Sequence, residues 1–150
     1  ILDSYRTICA GIIAGLRNLG IDAQFAPIND VLAGGKKLSG NAQTRKQGCL
    51  LQHGTVLLGV DVDTMFELLK VPSEKLKGKL IQDVKERVSS LALALGRTVS
   101  YQEALAAFKA GFCSALHLVP EASVPSQAEL QRAASLATER FSSMQWIAKR

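Results

Sequence analysis

Apolar residues follow two different spacings along the chain, and the change between them separates helical from extended segments. Between Tyr5 and Leu19 they recur every three or four residues, which is the spacing of an amphipathic helix. Gly20 follows at once, and glycine is favoured just past a helix C-terminus because it accepts a positive φ. The sequence therefore predicts a first helix over residues 5–19.

Extended runs separated by turn residues come next and predict an antiparallel meander. The runs cover residues 23–27, 28–33, 36–45 and 49–58. Gly34-Gly35 and Gln47-Gly48 separate the last three runs, and a two-residue glycine turn between extended runs is a common hairpin signal. We expect one face of the meander to pack on the first helix.

The rest of the chain is predicted to be helical. One helix stops before Pro72, because the residue before a proline is disfavoured in the α conformation. Two later helices begin at capping boxes, in which a serine and a glutamate each satisfy the other's free backbone N–H, at Ser100-Tyr-Gln-Glu103 and Ser126-Gln-Ala-Glu129. The economical interpretation is one α+β domain over residues 1–150, with an antiparallel or mixed sheet packed by helices and a helical C-terminal half.

Composition agrees with a globular domain. Of the 150 residues, 47% are apolar, which is enough to bury a core and excludes a disordered or low-complexity chain. No apolar stretch approaches the ~18 residues of a membrane span, and the first residues do not resemble a secretory signal. These features predict a soluble, cytoplasmic protein without a membrane partner. The chain lacks an initiating Met, which agrees with a start inside a longer polypeptide.

Charge makes an anionic partner plausible, since the net charge is +5. The basic residues are nevertheless scattered, and aromatic residues, which stack on bases in many nucleic-acid sites, make up only 5% of the chain. We therefore expect a solvated basic surface and no nucleic-acid partner.

The chain has three cysteines, Cys9, Cys49 and Cys113, widely spaced and without a CxxC motif. An odd and sparse set argues against a disulfide framework and against a thiolate zinc site. Each lies in an apolar run, where a free cysteine behaves as a small hydrophobe. The sequence predicts buried and unreactive thiols at all three positions.

Candidate chemistry concentrates between Asn29 and Gly54, where polar residues and glycines alternate. Lys36 and Lys37 lie next to a glycine turn and could bind a phosphate or a carboxylate, although paired lysines at a hairpin are more often solvated. The segment contains neither the GxxxxGK[ST] nor the GxGxxG nucleotide-binding pattern. The residue types alone leave both interpretations open.

The order of the motifs in this segment is more informative. Three of them resemble the biotin/lipoate protein ligase family, and in particular its lipoate-protein ligase branch: Asn29-Asp30, Lys37-Leu38-Ser39-Gly40-Asn41-Ala42 and His53-Gly54-Thr55. The resemblance implies part of a catalytic domain with a class II synthetase-like fold. Family members carry an arginine-led, glycine-rich loop upstream that has no match here. We therefore expect residues 1–150 to be the C-terminal portion of that domain, complemented by an N-terminal segment.

The resemblance implies an enzyme that attaches lipoate to proteins. Lipoate and ATP, with Mg²⁺, would form lipoyl-adenylate, and the acyl group would pass to a lysine of a lipoyl-domain protein. Acceptors in the family are the E2 subunits of 2-oxoacid dehydrogenases and the glycine-cleavage H protein. Two alternatives are an ATP-independent octanoyl or lipoyl transferase that acts through an acyl-cysteine, and a fragment inactive without its N-terminal part. The motifs do not distinguish lipoate from octanoate.

The resemblance also implies roles for individual residues. Lys37 matches the family lysine that contacts the α-phosphate and the acyl carbonyl, and strand alternation would turn Lys36 to solvent. Asp30 would lie near the metal and nucleotide, although no metal ligand set can be specified. The other implied binding residues are Asn29, Gly40, Asn41, Ala42 and His53. Each also has an ordinary structural interpretation, namely a turn for the aspartate, a β-bulge for Gly40-Asn41-Ala42 and a packed side chain for the histidine.

Overall fold

The computed structural model describes residues 1–68 and 74–149. They form two compact units, Ile1–Val119 and Pro120–Arg150. The first unit contains helices α1 (Leu2–Asn18), α2 (Val62–Leu68), α3 (Glu74–Arg87), α4 (Leu91–Leu95) and α5 (Tyr101–Leu116), and strands β1 (Gln24–Ala26), β2 (Asp30–Ala33), β3 (Lys36–Lys46) and β4 (Cys49–Val56). The α+β class predicted from the sequence is confirmed. The predicted helix end before Pro72 lies outside the described residues.

The strands form an antiparallel sheet in the order β1-β2-β3-β4, which confirms the predicted meander. Gly34 and Gly35 have φ values of +55° and +76°, and Gln47 and Gly48 have values of +54° and +74°. Two consecutive residues with positive φ match the right-handed twist of the flanking strands, so each pair closes a tight hairpin.

Helix α1 packs against α5 and against one face of the sheet, and the core lies between these layers. Cys9, Ile12 and Leu16 supply the buried stripe of α1. They meet Val31 and Leu38 from the sheet. The helices approach closely because glycines face each other at the crossing, where a Cβ added to Gly111 would overlap the backbone of Gly15.

The two predicted capping boxes have different outcomes. At the start of α5, the hydroxyl of Ser100 accepts from Glu103 N at 3.1 Å, but the Glu103 carboxylate pairs with Arg97 at 2.6 Å. This guanidinium holds the pKa of Glu103 below its usual value. The prediction that the Glu103 carboxylate accepts from the backbone N–H of Ser100 is therefore wrong, because Arg97, six residues earlier, competes for that carboxylate.

The second unit begins with the other capping box, which is confirmed. Ser126 and Glu129 each accept from the other's backbone N–H at the start of α6 (Gln127–Leu136). A π-helical turn (Ala137–Phe141) and the short helix α7 (Met144–Ile147) follow. The guanidinium of Arg140 lies 4.6 Å from the ring centre of Trp146, a cation–π contact that orders this end of the unit.

The cysteine prediction holds for one residue and fails for another. Cys9 is fully buried, whereas Cys49 is exposed and Cys113 is half-buried. Cys49 is exposed because it begins an edge strand next to the hairpin turn, beyond the part of the sheet that the helices cover. Across residues 1–68 and 74–149, no helix is long and apolar enough to cross a membrane.

Candidate functional site

A bulge at the start of β3 sets the direction of the candidate lysine. Val31 pairs with Ser39 and Leu32 pairs with Lys37, so Leu38 is an extra residue between the two pairs. Leu38 is fully buried, and its packing anchors the bulge. The carbonyl of Lys37 also accepts from the N–H of Ser89 at 2.8 Å, so its backbone is held from both sides.

The two adjacent lysines extend to different surroundings, as strand alternation predicts. Lys36 Nζ donates to the carbonyl of Lys85 at the end of α3, at 3.1 Å. Lys37 Nζ lies 2.7 Å from Oδ1 of Asp30. That carboxylate oxygen is buried, and no donor other than Lys37 reaches it among the described residues, so the lysine ammonium is its partner. The Lys37 side chain is 42% exposed.

Gly40 provides the space that this ion pair occupies. A Cβ added there would lie 2.8 Å from Cε and 2.9 Å from Nζ of Lys37, and 3.6 Å from Oδ1 of Asp30. Carbon atoms in contact normally remain 3.5–4.0 Å apart, so any side chain would displace the lysine. The glycine is required by the close approach of the Lys37 side chain.

Most of the predicted site residues share one face of the sheet, which we call the open face. Cross-strand partners lie on the same face, and the register joins Asp30 to Gly40, Gly40 to Thr55, and Ala42 to His53. Ala42, His53 and Thr55 are exposed. The open face therefore presents the ammonium of Lys37 beside a shallow row of small and polar groups.

Asn41 is the exception among the predicted residues. It is only 5% exposed and lies on the opposite, helix-packed face, because neighbouring residues of a strand alternate. Its Nδ2 and its backbone N–H each donate to the carbonyl of Asn29 at 3.0 Å, and Nδ2 of Asn29 donates in return to the carbonyl of Asn41. In this arrangement the Asn41 amide holds the chain before Asp30, and the contact with the nucleotide that the resemblance implies for Asn41 stays a prediction.

Sequence reasoning missed the polar residues that surround Asn41 on the helix-packed face. Gln52 Nε2 donates to Oδ1 of Asn41 at 3.3 Å, and Gln43 Nε2 donates to Oε1 of Gln52 at 2.6 Å. The available signal was the alternation of Ser39, Asn41 and Gln43, which places polar groups every second residue on the face that packs against α1.

The cysteines lie away from Lys37. Burial raises the pKa of the Cys9 thiol, which lies on α1 and accepts from Gln52 Nε2 at 3.7 Å. Cys49 pairs with Lys46 at the other end of β3, an 11-residue strand whose two ends are roughly 30 Å apart at about 3.3 Å per residue. Cys113 lies on α5, on the helix side of the sheet. None of the three combines an exposed thiol with a place on the open face near Lys37.

Comparison with known proteins identifies the family. Residues 1–113 match the family model described as "Lipoyl protein ligase A/B catalytic domain". The chain belongs to this family. The resemblance in the motifs between Asn29 and Thr55 is thereby confirmed.

Curated relatives within the lipoyl protein ligase A/B family are octanoyltransferases. The chain is 34% identical to octanoyltransferase LipM of Bacillus subtilis and 30% identical to that of Brevibacillus brevis. Both alignments include 100% of this chain but only 62% and 63% of the relatives, respectively, so the chain spans less than two thirds of their length. The alignments run over 173 positions against 150 residues here, so the relatives contain internal positions that this chain lacks.

Solved structures with the same fold are lipoate-protein ligases. A bi-partite lipoate protein ligase from Thermoplasma acidophilum is 30% identical, with a TM-score of 0.86 over 97% of this chain and 57% of that chain. A lipoate-protein ligase A bound with ATP is 28% identical, with a TM-score of 0.79 over 97% of this chain and 58% of that chain. The helices and antiparallel sheet described above are thus the fold of a lipoate-protein ligase catalytic domain.

Proposed function

We propose that this chain is the lysine-bearing part of an enzyme that transfers an octanoyl or lipoyl group to a lysine of a lipoyl-domain protein. The observation that carries the proposal is the ammonium group of Lys37, which is accessible on the open face and fixed by Asp30. The acceptors we propose are the E2 subunits of 2-oxoacid dehydrogenases and the glycine-cleavage H protein.

The chemistry of acyl transfer explains the need for a fixed cation. The acceptor amine attacks the acyl carbonyl, and negative charge develops on the carbonyl oxygen before the leaving group departs. A preorganised ammonium stabilises that charge more effectively than water does, because it needs no reorientation as the charge forms. Asp30 directs the Lys37 ammonium at one place, and Gly40 leaves the space for it.

The relatives favour a protein-bound thioester as the acyl donor. Both relatives are octanoyltransferases, which supports the transferase alternative over the ATP-dependent ligase that the motifs suggest. In that reaction the acyl group leaves one protein and is passed to the acceptor lysine, with a cysteine as the intermediate carrier.

The positions of the cysteines favour a second candidate, an acyl-adenylate donor made from a free acid and ATP. A reactive cysteine must be accessible and its thiolate must be stabilised, and burial raises the pKa of Cys9. No group of three or more His, Cys, Asp or Glu side chains converges within residues 1–68 and 74–149. Mg²⁺ commonly binds through one carboxylate and the substrate phosphates, so Asp30 would be its protein ligand here. ATP would supply the adenylate leaving group.

A two-donor assay tests the proposal with the protein at its natural length. One reaction contains an octanoylated carrier-protein thioester without ATP, and the other contains octanoate, ATP and Mg²⁺. The mass of the lipoyl domain reports acylation in both. Acylation from the thioester supports the transferase, and acylation with pyrophosphate release supports the ligase. If a folded protein acylates the domain in neither reaction, the proposed function is wrong.

The positions of the three cysteines give a further prediction. Because none of them lies beside Lys37, we expect Cys9→Ser, Cys49→Ser and Cys113→Ser each to keep acyl transfer within about threefold of the native rate, without the large loss that follows removal of a covalent nucleophile. The rates are measured with whichever donor is active. A loss above a hundredfold in one variant, with the fold intact, would identify that cysteine as the acyl carrier.

Gly40→Ala should displace Lys37 without loosening the fold. We expect a fall of about tenfold to a hundredfold in acyl transfer, because small misplacements of a catalytic group have effects of this size. Gly59→Ala is the matched control, since a Cβ at Gly59 would meet nothing within 4 Å. Rates and melting temperatures are compared for both variants. Equal rates in the two would show that Lys37 does not need the space above Gly40.

A further inference from the structure

A row of hydrogen bonds runs along the helix-packed face of the sheet, from the surface to the chain that precedes Asp30. Arg45 donates to Oε1 of Gln43 at 3.0 Å, and Gln43 Nε2 donates to Oε1 of Gln52 at 2.6 Å. Gln52 Nε2 then donates to Oδ1 of Asn41 at 3.3 Å, and Asn41 Nδ2 donates to the carbonyl of Asn29 at 3.0 Å.

Every hydrogen bond in the row is donated in the same direction, and Arg45 at the outer end sets that direction. A guanidinium has donors and no acceptor, so Arg45 requires the oxygen of the Gln43 amide to face it. Each amide in turn accepts on its outer side through oxygen and donates on its inner side through nitrogen.

Gln52 is the member that fixes the orientation of Asn41. Its amide N–H occupies Oδ1 of Asn41, which leaves Nδ2 of Asn41 facing the carbonyl of Asn29. A reversed Asn41 amide would place two oxygens against each other. Gly54, the cross-strand partner of Asn41, has no side chain, and a Cβ there would overlap Oδ1 of Asn41.

We propose that Gln52 is a positioning residue for the Lys37–Asp30 pair. It acts through Asn41 and Asn29, which hold the start of β2 and so place the Asp30 carboxylate against Lys37 on the other face of the sheet. The placement is a property of this chain alone, and its consequence for acyl transfer rests on the proposed function.

Chemical labelling tests the placement without any assay of activity. Trace acetic anhydride acetylates neutral amines, and peptide mass spectrometry reports the rates for Lys37 and Lys36 in the same sample. In Gln52→Leu we expect Lys37 to react about threefold faster relative to Lys36, the size of change that loss of a partly exposed ion pair produces. Gln102→Leu, the same substitution on an exposed position of α5, should leave the ratio unchanged.

A second pair of variants tests the direction of the row if Gln52→Leu does not fold. Arg45 and Lys46 are adjacent and exposed, and strand alternation places them on opposite faces. Arg45→Glu replaces a donor with an acceptor and should raise the labelling of Lys37, whereas Arg45→Lys keeps a donor and should not. Lys46→Glu is the control for charge. An unchanged Lys37 rate in folded Gln52→Leu, or in Arg45→Glu where the first variant is unfolded, overturns the proposal.

The activity readout separates this inference from the proposed function. In the enzyme at its natural length, Gln52→Leu should lower kcat for acyl transfer about tenfold and leave KM for the lipoyl domain unchanged, since Gln52 lies on the face away from the acceptor. If labelling changes but neither Gln52→Leu nor Lys37→Ala affects transfer, the positioning is correct and the proposed function is wrong. If Lys37→Ala abolishes transfer and labelling does not change, the proposed function is correct and the positioning role of Gln52 is wrong.

Discussion

We expect Lys37→Ala to lower the rate of acyl transfer by a factor on the order of 10²–10³, the loss seen when one preorganised oxyanion donor is removed from an active site. The ammonium is the cation that the open face presents beside Asp30. Alanine cannot stabilise the charge that develops on the acyl oxygen. The measurement is the rate of acylation of a lipoyl domain, with the donor that the native protein uses.

Lys36→Ala is the matched control for this prediction. It removes the same charge from the neighbouring position, but Lys36 reaches the carbonyl of Lys85 and not the open face. We expect its rate to stay within about twofold of the native value, as for a surface substitution away from the reacting atoms. A larger loss in Lys36→Ala than in Lys37→Ala would show that the catalytic face is the side of β3 on which Lys36 lies, and not the open face.

The predictable part of this structure is encoded locally. The glycine turns at 34–35 and 47–48 define the hairpins because their two central positions need positive φ, and that requirement is readable from residue types alone. Strand alternation was likewise enough to separate Lys37 from Lys36. Short-range rules therefore identified the sheet, whereas the choice of a lysine in this segment came from the family resemblance.

The unpredicted part depends on contacts between residues distant in sequence. The extra residue Leu38 is visible only once β2 and β3 are paired, and it brings Lys37 onto the same face as Gly40. The resemblance implies that Asn41 contacts the adenylate, and its place beneath the sheet and its bond to Gln52 across the strands become visible only in the folded chain. Exposure of Cys49 follows from its place at a sheet edge. The alternation of Ser39, Asn41 and Gln43 indicates a polar row, but the pairing of the strands and the position of the sheet edge are not contained in it.

Among the variants proposed here, Gly111→Ala on α5 should have the largest effect on the free energy of unfolding. A Cβ there would overlap the backbone of Gly15 and lie 2.7 Å from the carbonyl oxygen of Gly11. Backbone atoms cannot rotate away as a side chain can, so Gly111→Ala must separate α1 from α5. We expect a loss of about 3 kcal/mol in the free energy of unfolding, at the upper end of the range for overpacked cores. Denaturant titration followed by circular dichroism measures this loss.

Gly78→Ala makes the same substitution in a helix where the added methyl group meets nothing within 4 Å. Alanine is favoured over glycine in an exposed helix by about 1 kcal/mol, so this variant should be more stable than the native protein. The two variants should change the free energy of unfolding in opposite directions, which separates the effect of the helix crossing from the effect of helix propensity. If Gly111→Ala were as stable as Gly78→Ala, α1 and α5 would not cross at the described distance. The layer that supports Asn41 and Gln52 from below would then have to be placed differently, and the candidate site with it.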